Sequence, residues 1–208
     1  MTLAAEHGRA IVRNVLGRSD YAIIGELIEP GSRVLDLGCG DAELLDWLVE
    51  NKRVEGRGIE MSGAKVQKAI ARGLSVYQGD LEKSLADYPD ATFDYIILSQ
   101  TLQQTAHPLY VLRQMLRVGR KAIIGFPNFG HWRVRWSHLV SGRAPRTELF
   151  PYEWYDSPNI HFLTVDDFQA LVNKEAWTVD RRILLAGDSR PELLGNLRAE
   201  IAIYVLHK

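Results

Sequence analysis

The stretch Arg33-Val34-Leu35-Asp36-Leu37-Gly38-Cys39-Gly40-Asp41-Ala42 decides the fold. A short apolar run ends in two glycines and an acid, and Leu44, Leu45, Leu48 and Val49 follow at helical spacing. That order reads as a buried strand, a tight turn and a helix. Glycines at 38 and 40 carry no Cβ, so the backbone can turn sharply there and come close to a ligand. The first amides of the helix point at whatever sits at the turn. The stretch is a nucleotide-binding turn.

Charge selects the nucleotide. A dinucleotide fingerprint, G-x-G-x-x-G, rests a diphosphate on the helix N-terminus. Here the third glycine position is Glu43, with Asp41 beside it. Two carboxylates repel a diphosphate, while Asp36 at the strand end suits a cationic ligand. S-adenosylmethionine has an ammonium, a sulfonium and no phosphate. The stretch also resembles the first motif of class I S-adenosylmethionine-dependent methyltransferases, D-x-G-x-G-x-G. The third glycine of that pattern falls at Ala42, whose methyl group stands where the backbone should come closest to the cofactor. The competing reading is a strand-turn-helix corner with glycines for packing alone.

Working outward, Asp20 reads as the N-cap of a helix with Tyr21, Ile24, Leu27 and Ile28 on one face, and Pro30-Gly31 stops it. A short helix is also expected between His7 and Leu16. Beyond the glycine turn, Val54 to Ile59 reads as a second strand ending at Glu60-Met61-Ser62, followed by a helix from Gly63 to Ala71. A carboxylate about 20 residues past the turn can accept both ribose hydroxyls; a solvated acid at a strand end is the alternative. Leu74 to Gln78 forms a third strand, ending at Gly79-Asp80-Leu81. Asp80 resembles the methyltransferase residue that takes the adenine amino group. Phe93 to Leu98 is a fourth strand, opening into Ser99-Gln100-Thr101-Leu102-Gln103-Gln104. The cofactor-binding set is therefore Asp36, Gly38, Cys39, Gly40, Glu60, Met61, Asp80, Leu81 and Ser99, and its ligand S-adenosylmethionine or S-adenosylhomocysteine.

His107-Pro108 starts a helix that Gly119 closes, and Lys121 to Phe126 is the fifth strand. Thr164 caps a helix reaching Ala176, and Trp177 to Leu185 with Glu200 to His207 read as a terminal hairpin. Strands alternating with helices imply a doubly wound, mostly parallel α/β sheet of Rossmann-like type, in three α/β/α layers. One domain over 1–208 is expected. Hydrophobic residues make up 46% and the formal net charge is −1, so no cationic face for nucleic acid is expected. No stretch is long and apolar enough for a membrane span, and Met1 to His7 lacks a signal-peptide pattern. The single cysteine, Cys39, suits a reducing cytoplasm and reads as a small residue in a crowded loop rather than a nucleophile.

The connection from Pro127 to Phe162 sets the chain apart. From Phe126 to Phe162 lie nine of 19 aromatics, too dense a cluster for an ordinary loop. A long connection with little regular pattern is usually functional, and aromatics with arginines are typical of interface centres. It can be a lid, a docking surface, or an aromatic mini-core. His131 and His138 are seven apart and could share a helical face, but without a nearby carboxylate pair they make a poor metal site, and no metal is expected.

Phe126-Pro127-Asn128-Phe129-Gly130-His131-Trp132-Arg133-Val134-Arg135 and Pro151-Tyr152-Glu153-Trp154-Tyr155-Asp156-Ser157-Pro158-Asn159-Ile160-His161 resemble the MetW family of methionine biosynthesis proteins. The Leu35–Asp41 and Ser99–Gln103 blocks fit the same family. The resemblance implies a methyltransferase-like fold in a protein that works with homoserine O-acyltransferase, docked through the 127–162 insert. The other function is methyl transfer to a small polar metabolite, which mostly needs positioning but often a base. After strand four stand only Ser99, Gln100, Thr101, Gln103 and Gln104, without the Asn/Asp-Pro-Pro-aromatic motif of amino methyltransferases. His131, Tyr152 and His161 qualify by chemistry alone, and no catalytic residue is assigned.

Overall fold

Val34, Leu35 and Leu37 are fully buried, which is what a near-continuous apolar strand requires, and they form the centre of strand β1 (Arg33–Leu37). The computed structural model describes residues 18–147, 149–187 and 189–208, so the expected helix between His7 and Leu16 lies outside the described residues. The remaining strands are β2 (Glu55–Glu60), β3 (Ser75–Gln78), β4 (Phe93–Ser99), β5 (Gly119–Pro127), β6 (Thr178–Leu185) and β7 (Ile201–His207). Among the described residues they make one sheet in the order β3-β2-β1-β4-β5-β7-β6. Strand β1 runs parallel to β2 and to β4, β2 parallel to β3, and β6 antiparallel to β7. The order reverses between β1 and β4, the switch point where doubly wound sheets open a crevice at their strand ends.

The helices are α1 (Ser19–Leu27), α2 (Glu43–Lys52), α3 (Gly63–Ala71), α4 (Leu81–Ser84), α5 (Pro108–Val118), α6 (Trp132–Ser141), α7 (Val165–Lys174) and α8 (Gly195–Arg198). The expected N-cap at Thr164 forms a full capping box with Asp167. One expectation needs correction. Asp20 does not cap α1: the helix starts one residue earlier, and the Asp20 carboxylate instead holds the Arg18 side chain. The helix started at Pro108 stops at Val118, directly before Gly119 as expected, and β5 begins at that glycine.

The chain divides into two compact units. One runs to Ser99 and takes in Leu109–Ile123; the other comprises Gln100–Pro108 and Ile124–Lys208. In the second unit the connection after β5 is more regular than its sequence suggests, since it contains the ten-residue helix α6. Asn128 fastens its start. The buried amide donates to the Asn196 and Ala199 carbonyls, both at 2.8 Å, and accepts from the Gly130 and Val165 N–H groups. The far end is fastened too, with Ile160 and His161 both donating their N–H groups to the Gln103 carbonyl. Between those anchors Phe129 packs on Phe150 with ring centroids 3.8 Å apart. Phe150 is buried, so part of the insert is the aromatic mini-core.

Candidate functional site

The glycine turn is laced to the ends of β2 and β3. Gly38 and Cys39 both donate N–H to the Ile59 carbonyl, at 2.8 and 3.2 Å, and Gly79 donates to the Glu60 carbonyl at 3.0 Å. These bonds bring Gly38, Cys39, Gly40, Glu60, Met61, Asp80 and Leu81 to one end of the sheet. Both glycines of the turn have positive φ, +67° at Gly38 and +59° at Gly40. A Cβ at Gly40 would meet nothing within 4 Å, so that face of the turn is open to a ligand.

Glu60 is held by the backbone. Its Oε2 accepts from the Gly40 N–H and its Oε1 from the Ser62 N–H, both at 2.9 Å. An ionised carboxylate has about four acceptor sites, so each oxygen keeps one for a further donor. Two vicinal hydroxyls would complete the set. Asp80 caps α4, its Oδ1 accepting from the Glu82 N–H at 2.9 Å. That bond orients the carboxyl beside the β2 end, and a carboxylate has a second oxygen for an amino group. Met61 is 67% exposed at the same edge, a flexible apolar side chain suited to the face of a planar ring.

Asp36 is the exception in an apolar strand. It is buried, and burial pushes its carboxyl up to about 7, with Glu60 adding to the rise and the Arg18 guanidinium opposing it. A buried anion without a partner is costly, so the site favours a cation that would stabilise the ionised form. Arg18 itself is occupied. It grips Asp20 with two nitrogens, donates to the Tyr21 hydroxyl at 2.7 Å and to the Ser99 hydroxyl at 3.1 Å. Ser99 in turn donates to Asp20 at 2.7 Å. This cluster at the end of β4 went unread in the sequence, where Asp20 looked like an ordinary cap. Its one signal was an arginine, an acid and a tyrosine within four residues.

Of the motif's residues, Ala42 stands differently from expectation, while Cys39 is the small residue in a crowded loop that the sequence suggests. Ala42 has a left-handed backbone, φ 57°, as a glycine at that position would. It is fully buried in a cluster with Cys39, Leu45, Ala69 and Leu74, so its methyl group belongs to the core and does not stand against a ligand. Cys39 is also buried, and a Cβ at Gly58 of β2 would lie 2.7 Å from its sulfur. Glycine on one strand and a small thiol on the turn let the two close on each other. Burial first, then Asp36 and Glu60, push the thiol pKa far up, which leaves it inert as a nucleophile.

In the second unit the candidate bases lie apart in role. His131 is not on a helical face with His138: it precedes α6 as its N-cap, its ring nitrogen accepting from the Arg133 N–H. Burial, with Arg133 adding and Glu200 opposing, lowers its pKa. His161 places Nε2 3.0 Å from the Thr105 carbonyl, which can only accept. Nε2 therefore carries hydrogen, and Nδ1 of the neutral ring carries the lone pair. Tyr152 is half exposed.

The sequence matches the family described as methionine biosynthesis protein MetW over residues 18–206. It is 33% identical, over 96% of its length, to a bifunctional methionine biosynthesis protein MetXA/MetW from Rhodopirellula baltica, and spans 34% of that relative's own length. Among solved structures it is similar to an S-adenosylmethionine-dependent methyltransferase from Mesorhizobium loti, with a TM-score of 0.69, 16% identity, and 92% of this chain and 99% of that one covered. A methyltransferase from Thermotoga maritima, described as a possible histamine N-methyltransferase, gives a TM-score of 0.65 at 16% identity over 99% and 96% of the two chains. At such identities these two likenesses concern the fold. The family match covers nearly the whole described chain, and on it the chain belongs to the MetW family of methionine biosynthesis proteins.

Proposed function

We propose that the chain binds S-adenosylmethionine or S-adenosylhomocysteine at the turn after β1 and acts as a partner of homoserine O-acyltransferase in methionine biosynthesis. The observation that carries the ligand is Glu60, whose two oxygens are each fixed by one backbone amide with one acceptor site remaining. Glu60 would hold the ribose hydroxyls and Asp80 the adenine amino group, with Met61 and Leu81 against the ring. Asp36 would face the ammonium, Ser99 would close the β4 side, and Gly38, Cys39 and Gly40 would bring the backbone close. The acids at the α2 N-terminus, Glu43 and Asp46, disfavour a diphosphate in the same place.

The partner reading is supported by the relative whose name joins MetXA and MetW in one bifunctional chain. Two modules on one polypeptide meet at high effective concentration, which is what a regulatory pair requires. When bound, S-adenosylmethionine supplies an electrophilic methyl group, but in this reading its level is sensed rather than consumed. Calorimetry with S-adenosylmethionine, S-adenosylhomocysteine and NADH tests the ligand. Acyltransferase activity with and without this chain, at several ligand concentrations, tests the partner. Tighter binding of NADH would overturn the first, and unchanged acyltransferase activity the second.

A second reading is methyl transfer to a small polar metabolite. It is favoured by His161, whose Nδ1 lone pair is set by the Thr105 bond, and by the buried Gln103 Oε1, which has no hydrogen-bond partner among the described residues. Release of S-adenosylhomocysteine on incubation with metabolite extracts, lost in His161→Gln, would establish it.

A further inference from the structure

The turn that follows β4, Gln100 to Thr105, spends its hydrogen-bond donors on its own carbonyls. The Gln103 and Gln104 side-chain amides both donate to the Gln100 carbonyl, at 2.8 and 3.2 Å. The Thr105 N–H and hydroxyl both donate to the Leu102 carbonyl, at 3.2 and 2.8 Å. Two more donors come from Ile160 and His161, whose N–H groups meet the Gln103 carbonyl at 2.9 and 3.1 Å. The His161 ring then spends its Nε2 hydrogen on the Thr105 carbonyl. All of these residues belong to the second unit.

Two acceptors are left over. A carbonyl only accepts, so Nε2 of Gln103 must face Gln100, and the other end of that amide is fixed as oxygen. Gln103 is 3% exposed, and its Oε1 has no hydrogen-bond partner among the described residues. A buried acceptor without a donor costs stability, and native chains rarely keep one without a reason. The second acceptor is His161 Nδ1, to which the Thr105 bond leaves the lone pair.

The backbone enters this turn under strain as well. Gln100 has φ +53°, in the left-handed region that a residue with a side chain adopts at a cost, and its N–H is held by the Gly125 carbonyl at 2.7 Å. Such strain clusters at active sites and ligand clamps. The chemistry of the missing donor follows from what stands around it. Neither Ser99 to Ala106 nor Ser157 to Leu163 contains an aspartate, glutamate, lysine or arginine. A buried ammonium needs a countercharge, and a hydroxyl has one hydrogen for two acceptors. An uncharged –NH2 group has two.

We infer that the turn after β4 is a binding subsite for an uncharged –NH2 group of a small molecule, with Gln103 Oε1 accepting one hydrogen and His161 Nδ1 the other. The inference rests on the methyl-transfer reading only for the use of the subsite, which would there hold a free amine with its lone pair available; binding itself requires no transfer. The test is titration of the full chain, isotope-labelled at the histidine nitrogens, with acetamide, and with N,N-dimethylacetamide as the probe that has no N–H. Acetamide should move the His161 Nδ1 resonance upfield in the millimolar range expected of so small a probe, and dimethylacetamide should not. Gln103→Met keeps the shape and removes the oxygen, so acetamide affinity should fall about fivefold to tenfold. Its melting temperature should equal or exceed that of the wild type. No shift with acetamide, or an equal shift with both probes, would overturn the subsite whether or not the variant folds. A variant less stable than the wild type would overturn it too, by showing that Oε1 is already bonded to a buried water in the free chain. A shift produced by S-adenosylmethionine alone would overturn the uncharged class and assign the acceptors to its ammonium. Acetamide binding without release of S-adenosylhomocysteine from any primary amine offered would uphold the subsite and overturn only the methyl-transfer reading.

Discussion

At the turn after β1, polar groups are constrained, and one of them, Asp36, is buried. Glu60 has both oxygens on backbone amides, and Asp36 sits inside an apolar strand. In the connection after β5 the polar anchors are buried as well, at Asn128 and Gln103, but the apolar groups are divided. Phe150 is in the core, whereas Trp136, Trp154 and Tyr155 are 62%, 76% and 65% exposed. A site for a small molecule needs fixed acceptors in a limited space, because binding energy is lost when they must be ordered first. A site for a protein needs apolar area offered outward on a held frame. The first region fits the proposed ligand site, and the second divides its rings between a core and an exposed surface.

The largest effect should come from breaking the frame of the second region. Phe150→Ala removes a buried ring stacked on Phe129 and should cost about 3 kcal/mol or more. Chemical denaturation checks the magnitude, and hydrogen exchange should show the loss concentrated in the insert. Equal loss of protection in the glycine turn would erase the distinction between the regions. Next comes Glu60→Ala, which removes the carboxylate proposed to accept from both ribose hydroxyls of the ligand. Taking about 1.5–3 kcal/mol for the pair together, because water replaces part of the lost contact, S-adenosylmethionine affinity should drop roughly tenfold to a hundredfold, with acyltransferase binding retained. Unchanged ligand affinity would remove Glu60 from the site.

A smaller effect is expected from pH. Burial raises Asp36 from 3.8 to about 7, so over that interval the folded chain holds a proton that the unfolded chain releases. Its contribution to stability is therefore full below about pH 4 and lost as pH rises through about 7. A cationic ligand favours the ionised carboxylate, so binding below about pH 7 should release a proton, and affinity should rise several-fold from about pH 6 to 8. Calorimetry in buffers of different ionisation enthalpy reads the proton directly, and Asp36→Asn should abolish its release. Equal proton release in wild type and variant would take Asp36 out of contact with the ligand. The smallest change should be Ala42→Gly. Relief of the left-handed alanine, about 1 kcal/mol, opposes loss of a buried methyl at about 0.8 kcal/mol and greater freedom of the unfolded chain. Stability by denaturation should stay within about 1 kcal/mol; a loss of twice that would show that packing governs the turn.

The strand-turn-helix at 33–49, the parallel order of the first strands and the terminal hairpin were all legible because they follow from periodicity and from where glycine must stand. So was the N-cap at Thr164, which rests on purely local bonds with Asp167. Other features depended on residues distant in sequence. Ser99 meets Asp20 across 79 positions and Asn128 meets Ala199 across 71, so neither bond leaves a local pattern. Ala42 looked like an obstacle to a ligand until the core cluster claimed its methyl group. The aromatics of the insert show the boundary most clearly. Composition alone determined that the stretch was unusual, since a ring carries the same apolar surface wherever it sits. Only the tertiary structure decided that Phe150 turns inward and Trp136 outward, because burial is a property of what closes around a side chain and not of the side chain itself.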